Sequence, residues 1–162
     1  MKNKLTAWIA LILTTSTAVA EAHTLSLTDA QALAAQATSA CAAKGREVAV
    51  AVLDTGGQSL LLQRGANVGP HNLEAARRKA YTALSTRSST LTLGRNARSN
   101  PDTANLAYLP ELLLLGGGLP LWQGDTLVGA LAVAGGGGPE ADEGCAMAAV
   151  HAGGFSALPR QP

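Results

Sequence analysis

The chain has 162 residues, a formal net charge of +1, 18 glycines and only 3% aromatic residues. A near-neutral chain with no basic stripe and no aromatic stacking platform argues against nucleic acid as a partner. So few large side chains also predict a ligand site that is shallow, or that a second subunit completes.

The first 22 residues have the pattern of a secretory signal peptide. Lys2 and Lys4 precede an apolar stretch over residues 5–20, and small residues then offer cleavage after Ala20 or Ala22. The stretch contains several hydroxyl residues, whereas a membrane-spanning helix needs about 20 consecutive apolar residues. We therefore predict a periplasmic or secreted protein with no membrane span in the mature chain.

The remaining residues are enough for one domain with its own core, which we predict over residues 23–158, followed by a short tail at 159–162. The apolar periodicities predict its elements in chain order. These are a helix over 27–44, strands over 48–53 and 58–64, a helix over 71–87, a short helix near 91–98, strands over 112–115, 119–122 and 126–134, and a helix from 139 to 152. The order α-β-β-α-(α)-β-β-β-α indicates an α+β domain with a five-stranded, mostly antiparallel sheet.

The last predicted strand has one face of small residues. Strict alternation places Leu127, Gly129, Leu131 and Val133 on one face. The opposite face then carries Val128 and the alanines at 130, 132 and 134, against which a helix can pack closely.

Two features of the sequence suggest chemistry but have simpler interpretations. The glycine run at 135–138 lacks the lysine or the GxGxxG register of a phosphate loop, and acidic residues follow it, so we predict a structural turn. Cys41 and Cys145 lie on predicted inner helix faces, and either a disulfide or two buried thiols fits the sequence.

The three histidines differ in their positions. His23 follows the signal peptide, and although it could bind metal as a new amino terminus, a disordered tail is the simpler prediction. His151 falls in the last turn of the final helix, where the helix dipole favours a partly cationic imidazole.

His71 begins a predicted helix and shares a polar face with Glu74, Arg78 and Thr82. A solvated helix face explains this pattern, but an imidazole with Arg78 and Lys79 nearby also provides an axial ligand and cations for a haem. Neither paired carboxylates nor a nucleophile motif is placed by spacing, so we predict no catalytic residues and favour binding over catalysis.

Four segments in this order resemble the GlcG/HbpS-like haem-binding family, also described as haem-degrading-domain or PduO C-terminal-like proteins. They are VAVLDTGGQSLLLQR, AARRKAYTALSTRS, LLLLGGGLPLWQGDTLVGALAVAGG and PEADEGCAMAA, and they extend over nearly all of the mature chain.

The resemblance implies a profilin-like sandwich that assembles into homo-oligomers and, in some members, binds haem. Such a sandwich sets the first and last helices side by side, which favours a Cys41–Cys145 disulfide. The implied haem site consists of His71 as iron ligand with Arg78, Lys79 and Thr82 as further cofactor-binding residues. Two alternatives stay open: an accessory or sensory interaction protein without cofactor, and an enzyme acting on haem or a small metabolite.

Overall fold

A computed structural model describes residues 24–160, so the predicted signal peptide and His23 lie outside the described residues. The longer helices are α1 Leu27–Ala42, α2 His71–Thr86, α3 Thr90–Ser99 and α5 Pro139–Ala152, with a short α4 at Pro101–Ala104. The strands are β1 Ala49–Leu53, β2 Ser59–Arg64, β3 Gly118–Gln123 and β4 Thr126–Ala134. No helix among these residues is both long and apolar enough to cross a membrane.

The strands form one antiparallel sheet in the order β2-β1-β4-β3. Within residues 24–160 this sheet has four strands, so the α+β class is confirmed but the prediction of five strands is wrong. Helices α1 and α5 pack on one face, and α2 packs on the other.

The segment predicted as the additional strand, residues 112–115, forms hydrogen bonds with side chains of neighbouring helices instead of with a strand. The Leu113 N–H donates to Thr82 Oγ1 at 2.8 Å, and Thr90 Oγ1 donates to the Leu115 carbonyl at 2.8 Å. Because these hydroxyl groups belong to α2 and α3, the apolar segment is bound to the helices and does not pair with the sheet.

Strand β4 contains a bulge that interrupts the predicted alternation. Leu121 pairs with Gly129 but Trp122 pairs with Leu127, which leaves Val128 as the extra residue. Val128 therefore joins Leu131 and Val133 in the core beneath α1 and α5, and not the alanine face as predicted. Gly129 lies so close to β1 that a Cβ there would be 2.4 Å from the Leu53 carbonyl oxygen.

One face of the sheet carries valine and leucine side chains and the other carries mainly alanines, and each face packs in a different core. The core beneath α1 and α5 contains valines and leucines, whereas α2 packs on β1 and β4 almost entirely through alanines. That small-residue contact, which the sequence predicts, brings α2 close to the sheet: a Cβ at Gly118 would lie 2.4 Å from the Lys79 carbonyl oxygen.

Helices α1 and α5 lie side by side and are covalently joined. Cys41 and Cys145 form a disulfide, with their Cα atoms 5.5 Å apart and a sequence separation of 104. Both residues are fully buried in the core beneath these two helices. The bond lies next to the start of α5, because a Cβ at Gly136 would be 3.2 Å from the Cys41 sulfur.

Candidate functional site

A concavity of about 380 Å³ lies where the start of α2 meets the loop between β4 and α5. Its lining includes His71, Asn72, Ala75, Leu115, Gly135, Gly137, Gly138 and Pro139, with Lys79 and Asp142 below them. Apart from these four polar residues, the lining consists of glycine backbone, two alanines, a proline and a leucine that is 44% exposed. Such a surface suits a flat, largely apolar ligand.

The shape of the concavity depends on the glycine loop. Gly135, Gly137 and Gly138 have φ values of 96°, 108° and 135°, which side chains rarely adopt. A Cβ at Gly138 would meet nothing within 4 Å, so the missing side chains leave open space beside the loop. The prediction of a structural turn here fits this geometry, and the turn also forms one wall of the concavity.

His71 is exposed at the rim of this concavity. It is the first residue of α2, and the preceding Pro70 provides no side-chain cap. The ring lies over Gly69, where a Cβ would be 3.0 Å from His71 Cε1. An imidazole in this position is available to a metal-bearing ligand.

Lys79, predicted to neutralise a ligand carboxylate, instead belongs to a buried ion pair. Its Nζ donates to Asp142 Oδ2 at 2.8 Å and to the Val133 carbonyl at 3.1 Å, and the side chain is 1% exposed. Burial lowers the pKa of Lys79, an effect that the Asp142 carboxylate opposes. With these contacts, Lys79 supports the floor of the concavity and is not available as a surface cation.

Thr82 and Arg78 face the 112–115 segment, away from the concavity lining. Thr82 is fully buried, and its hydroxyl donates to the Arg78 carbonyl at 2.7 Å while it accepts from the Leu113 N–H. Arg78 donates from Nη2 to the Leu112 carbonyl at 2.6 Å. Two residues of the predicted polar stripe, Arg78 and Thr82, therefore form hydrogen bonds within the fold. Thr82 is too deeply buried to bind a cofactor.

Two acidic residues of α5 organise the surrounding loops, a role that the sequence analysis did not assign to them. Asp142 accepts from the Gly136 N–H at 2.6 Å as well as from Lys79. Glu143 accepts from Ser89 Oγ at 2.6 Å and from the Gly117 N–H at 3.3 Å. Their position after the glycine run was an available signal, but it was interpreted only as an argument against a phosphate loop.

A second, polar concavity of about 300 Å³ adjoins the first and shares Asn72 and Gly135 with it. Arg46 and Glu47 line it, and Asn67 donates to both Glu47 oxygens, at 3.0 Å from its backbone N–H and 2.8 Å from its side chain. Sequence spacing could not reveal this neighbourhood, because Arg46 lies in the loop between α1 and β1 whereas His71 begins α2.

The sequence model of the HbpS-like family, described as haem-degrading proteins, matches residues 25–151. Because this match includes most of the chain, the protein belongs to the HbpS-like family, as the four motifs predicted. No sequence among curated proteins matches the chain.

Solved structures agree with this assignment. A double mutant of Streptomyces reticuli HbpS is 31% identical, with a TM-score of 0.74, and the match includes 90% of this chain and 98% of that one. Klebsiella pneumoniae ORFY is 25% identical, with a TM-score of 0.77 over 88% and 98% of the two chains. A PduOC:heme complex shares the fold, at 24% identity and a TM-score of 0.75 over 84% and 99%.

Proposed function

We propose that this protein is an exported haem-binding protein in which His71 binds the iron. The observation that carries the proposal is an exposed imidazole at the rim of a largely apolar concavity, in a chain of a haem-degrading family. The PduOC:heme complex supports it further, since a chain of the same fold has been solved with haem bound. Bound haem would supply an iron centre for ligand or oxygen chemistry.

The residues around His71 fit a porphyrin. The glycine loop offers a wall without side chains, and Ala75 and Leu115 add apolar surface that a macrocycle can cover. The concavity of about 380 Å³ lies near the lower end of the range of roughly 300–1,000 Å³ typical of ligand sites, so one chain would leave part of the ring exposed. We therefore propose that a second copy of the chain covers the remainder.

Export is part of the proposal and rests on the signal-peptide pattern of residues 1–22. The Cys41–Cys145 bond supports it, since structural disulfides persist in oxidising compartments. The mass of the protein recovered from the periplasm or medium of expressing cells should correspond to cleavage after Ala20 or Ala22. Recovery of only the full-length chain from the cytoplasm would contradict export.

A hemin titration of the purified protein tests the binding site. We expect a saturable shift of the Soret band, and we expect His71→Ala to change the spectrum and weaken binding by removing the iron ligand. His151→Ala is the matched control, because that exposed histidine lies in the last turn of α5 and not among the residues lining the concavity. An unchanged spectrum in His71→Ala would exclude it as ligand, and no saturable shift would exclude haem binding.

The family description favours haem degradation as a second candidate function. That activity requires an external reductant and oxygen, so it is tested with the haem-loaded protein and both reagents. Loss of Soret absorbance faster than with heat-denatured protein, together with a released porphyrin-cleavage product, would establish it. Equal rates would leave the protein a binder only.

A further inference from the structure

We infer that Arg46, and not the predicted Arg78 or Lys79, binds an acidic group of the ligand held beside His71. This inference rests on the proposed haem-binding function and extends it, because it names the residue that distinguishes a porphyrin with free carboxylates from one without them.

Arg46 lies at the junction of the two concavities. Its Nε, Cζ and Nη2 atoms are 3.5–3.7 Å from the position that a Cβ on Gly137 would take, and Gly137 lines the concavity of His71. Arg46 itself lines the adjoining polar concavity, which shares Asn72 and Gly135 with the first. A ligand seated against the glycine loop would therefore extend its periphery toward the guanidinium.

The predicted cations have other partners. Lys79 is held by Asp142 and Val133, and Arg78 donates to the Leu112 carbonyl. A third cation, Arg95 of α3, forms an ion pair with Glu140 in the first turn of α5 at 3.0 Å. Among residues 24–160, the exposed side chain of Arg46 makes neither a hydrogen bond nor an ion pair, and only its backbone N–H donates, to the Cys41 carbonyl at 3.1 Å.

The charge of the neighbouring Glu47 is already compensated locally. Both of its oxygens accept hydrogen bonds from Asn67, and these bonds lower the pKa of Glu47, the backbone bond most. Glu47 is thus hydrogen-bonded to Asn67, and the guanidinium of Arg46 is available to a ligand. A guanidinium presents parallel N–H donors that match the two oxygens of a carboxylate, which a porphyrin propionate supplies.

The test compares hemin with hemin dimethyl ester, whose propionates are esterified and uncharged. We expect the protein to bind hemin more tightly than the ester, and Arg46→Gln to weaken hemin binding about tenfold, as loss of a charged hydrogen bond predicts. Ester binding should not change, and Arg46→Lys should restore part of the hemin affinity. Arg46 is exposed, so the variant should unfold at the wild-type temperature.

Arg87→Gln is the matched control, because it removes the same charge from the far end of α2. That helix has 16 residues, which places Arg87 about 24 Å from His71 along the helix axis. Its affinity for hemin should equal that of the wild type.

The outcomes separate the two proposals. If the wild type binds hemin and Arg46→Gln binds it equally well, or loses hemin and ester affinity alike, the role of Arg46 is overturned while haem binding stands. If the wild type binds neither porphyrin, the proposed function fails.

Discussion

At the scale of single residues, the buried Lys79–Asp142 pair joins three elements at the base of the site. Lys79 comes from α2 and Asp142 from α5, and the pair reaches the end of β4 through the Val133 carbonyl. Removing one member of a buried pair leaves the other charge without compensation, which costs more than the pair itself contributes.

We expect Lys79→Met to lower the free energy of unfolding by about 3–5 kcal/mol, because it leaves the Asp142 carboxylate buried without its partner. Adding Asp142→Asn should recover part of that loss, since the amide is neutral and its oxygen can still accept from Gly136. Urea unfolding of the two variants measures both effects. A double variant no more stable than Lys79→Met would contradict this account.

The Glu47–Asn67 contact predicts a pH dependence at low pH. The hydrogen bonds from Asn67 hold the pKa of Glu47 below its ordinary value of 4.5, the backbone N–H contributing most and the side chain next. Because the folded-state pKa is the lower one, the contribution to stability is complete above pH 4.5 and disappears as the pH falls through the folded-state value.

Asn67→Ala removes the side-chain donor but keeps the backbone donor, so the pKa of Glu47 should rise part of the way toward 4.5. An NMR titration of the Glu47 carboxyl carbon measures this change. Glu140, whose pKa is lowered by its own backbone N–H and by Arg95, serves as an internal control and should not move. An unchanged Glu47 titration would show that the side-chain bond is not formed in solution.

Part of the site follows from the sequence, and particular residues show where such prediction ends. The position of His71 at the start of α2 comes directly from helical periodicity. Lys79 shows a signal that was overlooked: it lies three residues after Ala76 and four before Ala83, both on the buried face. The charge of Lys79 suggested a position on the protein surface, but its spacing from the two alanines indicated a position in the core. Arg46 was beyond prediction, because only the folded loop brings it beside Gly137.

At the scale of elements, the disulfide connects the first helix to the last. In the chain-entropy description, a disulfide that closes a loop of about 100 residues lowers the entropy of the unfolded chain and stabilises the fold by up to ~4.7 kcal/mol. The stabilisation measured for disulfides is usually smaller. The 104-residue separation places this bond among the long loops. Gly136, in the loop that forms the wall of the concavity, lies beside this bond, since a Cβ there would be 3.2 Å from the Cys41 sulfur.

Reduction of the disulfide should lower the free energy of unfolding by about 2–5 kcal/mol. Urea unfolding of the oxidised and reduced protein measures the difference with identical sequences. The Cys41→Ala/Cys145→Ala variant should be close to the reduced protein and should not respond to reductant. Equal stabilities of the oxidised and reduced forms would show that the bond does not contribute.

The elements also show why a short apolar run is ambiguous. Residues 112–115 have the composition of a strand. The other four predicted strands were correct in type because their periodicity or turn residues were distinct. What decides this segment is the hydroxyl groups of Thr82 and Thr90, about 30 residues earlier in the chain. A local pattern does not contain that information.

At the scale of the whole molecule, the edge of the sheet at β2 offers a route to the oligomer that we expect. Leu62 of this strand is 41% exposed, and its backbone lies at one margin of the sheet. An unpaired edge with an apolar side chain favours pairing with a second chain, and a lysine there opposes it.

We therefore expect Leu62→Lys to shift the protein toward monomer. Light scattering after size-exclusion chromatography, over a range of concentrations, gives the mass of each species. Leu27→Lys is the matched control, since Leu27 is 54% exposed but lies on α1. A wild type that is monomeric throughout, or equal dissociation by both variants, would contradict assembly through β2.

The opposite margin of the sheet differs in a way that limits growth. Strand β3 contains Pro120, which has no N–H to donate, and Ser156 exchanges two backbone hydrogen bonds with Trp122, at 2.8 and 2.9 Å. A chain that can pair with a neighbour only through its β2 edge has no further edge to offer once two β2 edges have paired. For the part of the chain that the structure describes, association through the sheet would thus yield a finite particle and not a growing fibre.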